Sequence, residues 1–198
     1  GYSSARLGKP VKTSGLFREF LVEAPKIVPV EMSQTAEGVK FEGAHSGYVP
    51  PFGLTHARKL SLSLDGRSLV GEDLLIALND TTGKAAETVL SEDIDPNVDF
   101  QIRFHLHPEV DAALDLGGTT VAIAAKSGEI WIFRHESSLF LTIEPGVYLE
   151  KNQPTPRASR QIVLSGMVND ALTRAQWSLS KTQDTAMVIR DLRLEELR

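Results

Sequence analysis

The chain is 198 residues long, has a formal net charge of -5 and contains no cysteine. That length is enough for one domain with a substantial core, and the missing cysteines exclude disulfides, a thiol nucleophile and cysteine-ligated zinc. Net negative charge without any concentrated Lys/Arg block speaks against nucleic acid or an anionic membrane as a partner held by electrostatics.

No stretch nears the roughly 18–20 consecutive apolar residues of a membrane span, and the opening GYSSARLGKP has no apolar signal segment. The first residue is Gly1 and not Met, which leads to the expectation of a processed product or a piece of something longer.

In chain order, the first expected strand is Val39–Glu42. The segment GAHSGYVPPFGLTHARKL follows and is dense in chemically versatile side chains. His45 and Tyr48 are suited to proton transfer; Gly43, Gly47, Pro50 and Pro51 predict that they sit on a loop fixed by its neighbours. In the other reading, Tyr48 and Phe52 plug the edge of a sandwich, and His56 and Arg58 stand on the polar face of a strand.

The next expected strand is Leu54–Leu64. Leu60, Leu62 and Leu64 alternate with serines, and Asp65-Gly66 predicts a tight turn into Ser68–Leu74, a β-hairpin. A turn or two of helix fits within Asp80–Leu90, and SEDIDPNVD reads as a loop.

In FQIRFHLHP, Phe100, Ile102, Phe104 and Leu106 alternate with Gln101, Arg103, His105 and His107, the period of a strand. Two imidazoles and a guanidinium thereby share one face. A metal there needs a third and usually a fourth ligand, from Glu109, Asp111, His56 or His135, and the Arg103 charge opposes a cation. A solvated outer face is the competing assignment, and no metal or other cofactor is assigned.

Gly117-Gly118 reads as a hairpin turn. Val121, Ile123 and Ala125 form a strand, Lys126–Glu129 a turn with Gly128 at a positive φ, and Ile130, Ile132 and Arg134 the returning strand. Further strands are expected at Leu139–Glu144, Arg160–Gly166, Arg174–Ser180 and Ala186–Leu194; the tail Asp191–Arg198 is extended or helical. Many short strands between turn signals point to an all-β antiparallel sandwich or open barrel, with a single domain over residues 1–198.

No G-x-S-x-G, P-loop, G-x-G-x-x-G or H-E-x-x-H motif is present. The adjacent pairs Glu72-Asp73, Glu92-Asp93 and Glu195-Glu196 point to opposite faces if on a strand, and read as turn and surface charges rather than a glycosidase pair.

The order of AHSGYVPPFGLTHARKLSLSLDGRSLVGEDLL, FQIRFHLHPEV, GEIWIFRHE, IEPGVYLEKNQPTPRASRQIVLSG and AQWSLSK resembles the C-terminal β-sandwich region of bacterial heparinase II/III-like polysaccharide lyases, over about Tyr2 to Lys181. The resemblance implies a β-sandwich of two stacked sheets packed on an N-terminal helical toroid. An acidic polysaccharide would bind between them and be cleaved by β-elimination, with Tyr and His as the usual acid and base.

The toroid and the early strands, which carry the family's catalytic and metal-binding His and Asp residues, have no counterpart in this sequence. No catalytic residue and no metal ligand is therefore carried over, and His45, Tyr48 and Arg58 stand as substrate-binding candidates. The rival expectation is a stand-alone carbohydrate-binding or assembly module, with Trp131, Trp177 or Tyr148 as stacking platforms.

Overall fold

The computed structural model describes residues 5–7, 11–13, 16–18, 21–77, 98–115, 117–136, 138–151, 155–168 and 170–184. The helical turns expected within Asp80–Leu90, the strand at Ala186–Leu194 and the tail Asp191–Arg198 lie outside them.

Four short strands come first: β1 (Arg6–Leu7), β2 (Val11–Thr13), β3 (Leu16–Arg18) and β4 (Leu21–Glu23), paired β1 with β4 and β2 with β3. After them come β5 (Val30–Thr35), β6 (Gly38–Tyr48), a one-turn helix α1 (Val49–Phe52), β7 (Leu54–Ser63) and β8 (Ser68–Ala77). The remaining strands are β9 (Asp99–His105), β10 (Asp111–Leu114), β11 (Thr120–Ala124), β12 (Glu129–His135), β13 (Phe140–Tyr148), β14 (Arg157–Met167) and β15 (Leu172–Asp184).

Eight strands form an antiparallel sheet in the order β10-β11-β12-β15-β8-β7-β6-β5, and three form a second, β13-β14-β9. The expected all-β sandwich is thus present, with very little helix among the described residues.

Local chemistry explains the hairpins. At the β7–β8 turn Gly66 takes φ 68°, a backbone conformation glycine adopts without a Cβ penalty. The Asp65 carboxylate accepts the Arg67 amide at 3.0 Å and the Ser63 hydroxyl at 2.6 Å. Gly118 and Gly128 take the same role at the next two turns, with φ 66° and 87°, as the sequence predicts.

The core lies between the sheets. Ile102, Leu141, Ile162 and Leu164 of the small sheet meet Val121, Phe133, Ala175 and Trp177 of the large one. Phe104 reaches across to both aromatics, with ring centroids 4.9 Å from Phe133 and 4.7 Å from Trp177. Trp177 is only 6% exposed, so it belongs to the core and is no platform for a sugar; Trp131 is half-buried.

The outer face of the small sheet holds the histidine-bearing stretch. Arg103 pairs with Glu144 at 2.7 Å across Val163, its neighbour in register, which is fully buried. His105 and His107 are exposed, and His107 packs edge-on against Tyr148, 4.8 Å between centroids. Among the described residues no group of three His, Asp or Glu side chains is arranged to hold a metal ion.

Candidate functional site

Strand β6 is longer than Val39–Glu42 and runs on to Tyr48. His45 and Tyr48 are therefore at its end and not on a loop, which corrects the expectation drawn from the nearby Gly and Pro. The two prolines instead start α1, with proline in its first positions and Gly53 closing it at φ 67°, the sites where each residue is favoured.

Register decides which side chains meet. The β7–β8 hairpin puts Arg58 opposite Asp73 and His56 opposite Leu75, while β6–β7 pairing puts His45 opposite His56. Residues two apart along a strand share a face, so His45, His56, Arg58 and Asp73 share the inner face with Leu60 and Trp177. The polar face expected for His56 and Arg58 is therefore the inner one, shared with residues of the core.

Asp73 is the centre of this group and only 3% exposed. It corrects the assignment of Glu72-Asp73 to surface charge: the pair is split between faces, and the buried member is the one with partners. One carboxylate oxygen of Asp73, Oδ1, accepts from His56 Nε2 at 2.8 Å and from Arg58 Nε at 2.7 Å; the other accepts from Trp177 Nε1 at 2.9 Å. Burial alone pushes its pKa up, but the hydrogen bonds from His56, Arg58 and Trp177 and the Arg58 charge outweigh that and hold it below the usual carboxylate value.

A second link extends from His56. Its Nδ1 lies 3.1 Å from His45 Nε2, and His45 Nδ1 accepts the Gly47 amide at 3.2 Å. Burial, and then the neighbouring His56, push the His45 pKa below its ordinary value.

Proton positions follow from the ends of the chain. Gly47 N–H can only donate, so His45 Nδ1 is bare and its Nε2 carries the hydrogen; Asp73 can only accept, so His56 carries its hydrogen on Nε2. The shared contact is then His45 Nε2–H donating to His56 Nδ1. Every nitrogen of both rings is engaged, and neither ring offers a free lone pair as a general base.

His56, Arg58 and Asp73 of this cluster form part of one wall of a cavity of about 1150 Å³. Tyr48, Phe52, Leu54, His56, Arg58 and Asp73 line it from the large sheet and α1, and Asp99 to Arg103 with Ser165 to Met167 from the small one. Arg58 binds Asp73 through Nε, which leaves its two terminal amino groups outside that contact on a side chain 38% exposed.

Of the three substrate-binding candidates, the fold thus brings all together. Arg58 and Tyr48 line the cavity, and the His45 ring stands 5.3 Å from that of Tyr48 and 5.0 Å from that of His56. Asp73 and the bridging role of His56 were not evident from motif content. Counting from the Asp65-Gly66 turn pairs Arg58 with Asp73, so that part was available in the sequence.

Comparison with known proteins gives the context. The chain is 29% identical over 165 residues to FtsZ-localized protein C of Caulobacter vibrioides, covering 83% of this chain and 27% of that protein. Its fold is shared by heparan sulfate lyase HepC from Pedobacter heparinus, with TM-score 0.60, 11% identity, and coverage of 82% of this chain and 23% of that one. A crystal structure of heparinase III aligns with TM-score 0.56 and 13% identity over 79% of this chain and 22% of that one. The chain therefore spans about a quarter of the length of these relatives. Residues 1–181 match the heparinase II/III-like C-terminal family, and the chain belongs to it.

Proposed function

We propose that this chain is the β-sandwich portion of a polysaccharide lyase that cleaves a uronate-containing polysaccharide by β-elimination, the general base and acid being supplied by an N-terminal helical domain. The family supports the lyase assignment at a coarse level. The observation that carries the division of labour is the saturated histidine chain: His56 of the cavity wall and His45 behind it are both fully hydrogen-bonded, and a general base needs a lone pair within reach of the proton it removes. In this reading the sandwich contributes binding. The Arg58 guanidinium meets the uronate carboxylate or a sulfate through its terminal amino groups, while Tyr48 and His45 shape the mouth beside it.

A second reading has one observation in its favour. One relative is FtsZ-localized protein C, so an assembly role for the sandwich, in place of chemistry, is the alternative.

One experiment separates the two. The natural protein carrying this sequence is incubated with a panel of uronate polysaccharides, and the ultraviolet absorbance of the unsaturated uronate product is followed. Absorbance should rise with the natural protein and stay flat with the 198-residue chain alone. A flat trace with every polymer, together with binding to purified FtsZ, would replace the lyase reading with the assembly one.

A further inference from the structure

The chain Gly47 N–H to His45, His45 to His56, and His56 to Asp73 has room for one hydrogen between each pair of atoms and no more. A proton added to His45 Nδ1 points at the Gly47 amide hydrogen. A proton added to His56 Nδ1 points at the hydrogen on His45 Nε2, and moving that hydrogen to His45 Nδ1 returns the conflict to Gly47. Wherever the proton goes, one hydrogen bond becomes a contact between two donors.

The weak link is at the Gly47 end. Asp73 is an ionised acceptor, and hydrogen bonds to charged groups are the strong ones, so His56 stays on it. By contrast, the His45–Gly47 contact is neutral and 3.2 Å long. The β6–β7 register also shifts between His45 and Tyr48, so the Gly47 amide is taken by an imidazole and not by a ladder carbonyl. Beyond it lie Tyr48 and α1, whose Tyr48 and Phe52 rings line the cavity.

We propose that His45 and His56 form a proton-operated latch: as neutral rings they tie the bulged end of β6, with Tyr48 and α1, to the cavity wall through Asp73, and one added proton unties it. The charges facing the pair favour this assignment of the break. Arg58 on β7 and Asp73 on β8 are matched to each other, Trp177 on β15 donates to Asp73, and of the charged residues of β9 that also line the cavity, Asp99 and Arg103, the latter is paired with Glu144. Asp73 is held below the usual carboxylate value and stays ionised where histidines titrate, so it remains the fixed end. The latch rests on this geometry and not on the lyase reading, and neither failure implies the other.

Hydrogen exchange tests it. Exchange of the segment 44–53 is measured at about pH 8 and about pH 4.5, the lower value set well below the ordinary histidine pKa because that of His45 is lowered, and corrected for intrinsic rates. The segment should lose roughly five- to tenfold of its protection at the lower pH, the equivalent of one ordinary hydrogen bond, while the core strand β14 keeps its own.

His45→Asn retains an acceptor for the Gly47 amide and has no proton to gain, so its protection should not change with pH. Long-range nitrogen–proton NMR of the unaltered protein gives a reading that needs no variant, with both rings bearing their hydrogen on Nε2 at the higher pH. Unchanged protection between the two pH values, an undiminished step in His45→Asn, or a ring protonated on Nδ1 at the higher pH would each overturn the latch.

Discussion

Gly71 lies directly beneath the indole of Trp177: a Cβ on Gly71 would sit 2.1 Å from Trp177 Cζ2 and 2.2 Å from Cε2. The two are register partners on β8 and β15, so the ring can lie flat over β8 only because its partner lacks a side chain. From there Nε1 reaches Asp73. Packing and site are thereby joined through one missing methyl group.

Gly71→Ala should therefore displace the indole, strain the core and weaken the Asp73 contact together. Overpacking of this kind costs about 1–3 kcal/mol, to which a weakened hydrogen bond adds. Urea unfolding followed by circular dichroism measures the loss. A change within error would show that the indole has another place to go.

Asp73→Asn keeps the shape of the side chain and removes its charge, turning one acceptor oxygen into an amide donor. Facing three donors, from His56, Arg58 and Trp177, it can satisfy at most those that reach its remaining oxygen. A loss of about 1.5–3 kcal/mol is expected, the range for hydrogen bonds to charged groups. Trp177 fluorescence should shift with it, because the indole N–H loses its partner. Unaltered stability and emission would mean that the cluster contributes little to the fold.

Arg58 has two functions that different substitutions separate. Arg58→Lys keeps a positive charge but loses the planar group that holds Asp73 with Nε while presenting two amino groups outward; Arg58→Ala loses both. In the natural protein, retention of an acidic oligosaccharide should fall at least tenfold for Arg58→Ala and less for Arg58→Lys, measured by calorimetry at low salt. Equal affinity of all three proteins would remove Arg58 from the binding surface.

How much of this could be read in the sequence differs by element. The hairpins at Asp65-Gly66, Gly117-Gly118 and Lys126–Glu129 were legible because a turn needs particular residues at particular positions, a local requirement. The length of β6 was not. Gly43 and Gly47 look like breakers, yet Gly43 lies in regular register opposite Arg58, and only neighbouring strands decide that. The burial of Asp73 is hidden from the sequence for the same reason. Adjacent acidic residues are ordinarily solvated, and what buries this one is a tryptophan more than a hundred positions away that brings an N–H to it. His105 and His107, conspicuous in the sequence, are on the outer face, and the less conspicuous His56 is the one that bridges the site.

The pH dependence of stability should show two separate limbs. The folded-state pKa of His45 is lowered, first by burial and then by His56. The unfolded chain therefore binds a proton near the ordinary value of 6.5 that the folded chain resists, and stability rises with pH wherever the unfolded state holds more protons. The contribution is complete above about pH 6.5, shrinks as pH falls below it, and is gone below the folded pKa of His45. Asp73, also lowered despite burial, stabilises fully above the unfolded carboxylate value of about 3.9 and loses that contribution as pH falls through its lower folded value. Asp65, held low by the Ser63 hydroxyl, Glu109, held low by Lys126, and Asp115, held low by the Thr120 amide, share this acid limb from the surface. Melting temperature measured at closely spaced pH values should thus begin to decline below about pH 6.5 and fall again below about pH 4. His45→Asn should flatten the first decline and leave the second, whereas Asp73→Asn should reduce the second without abolishing it. A first decline that survives in His45→Asn would assign it to another histidine.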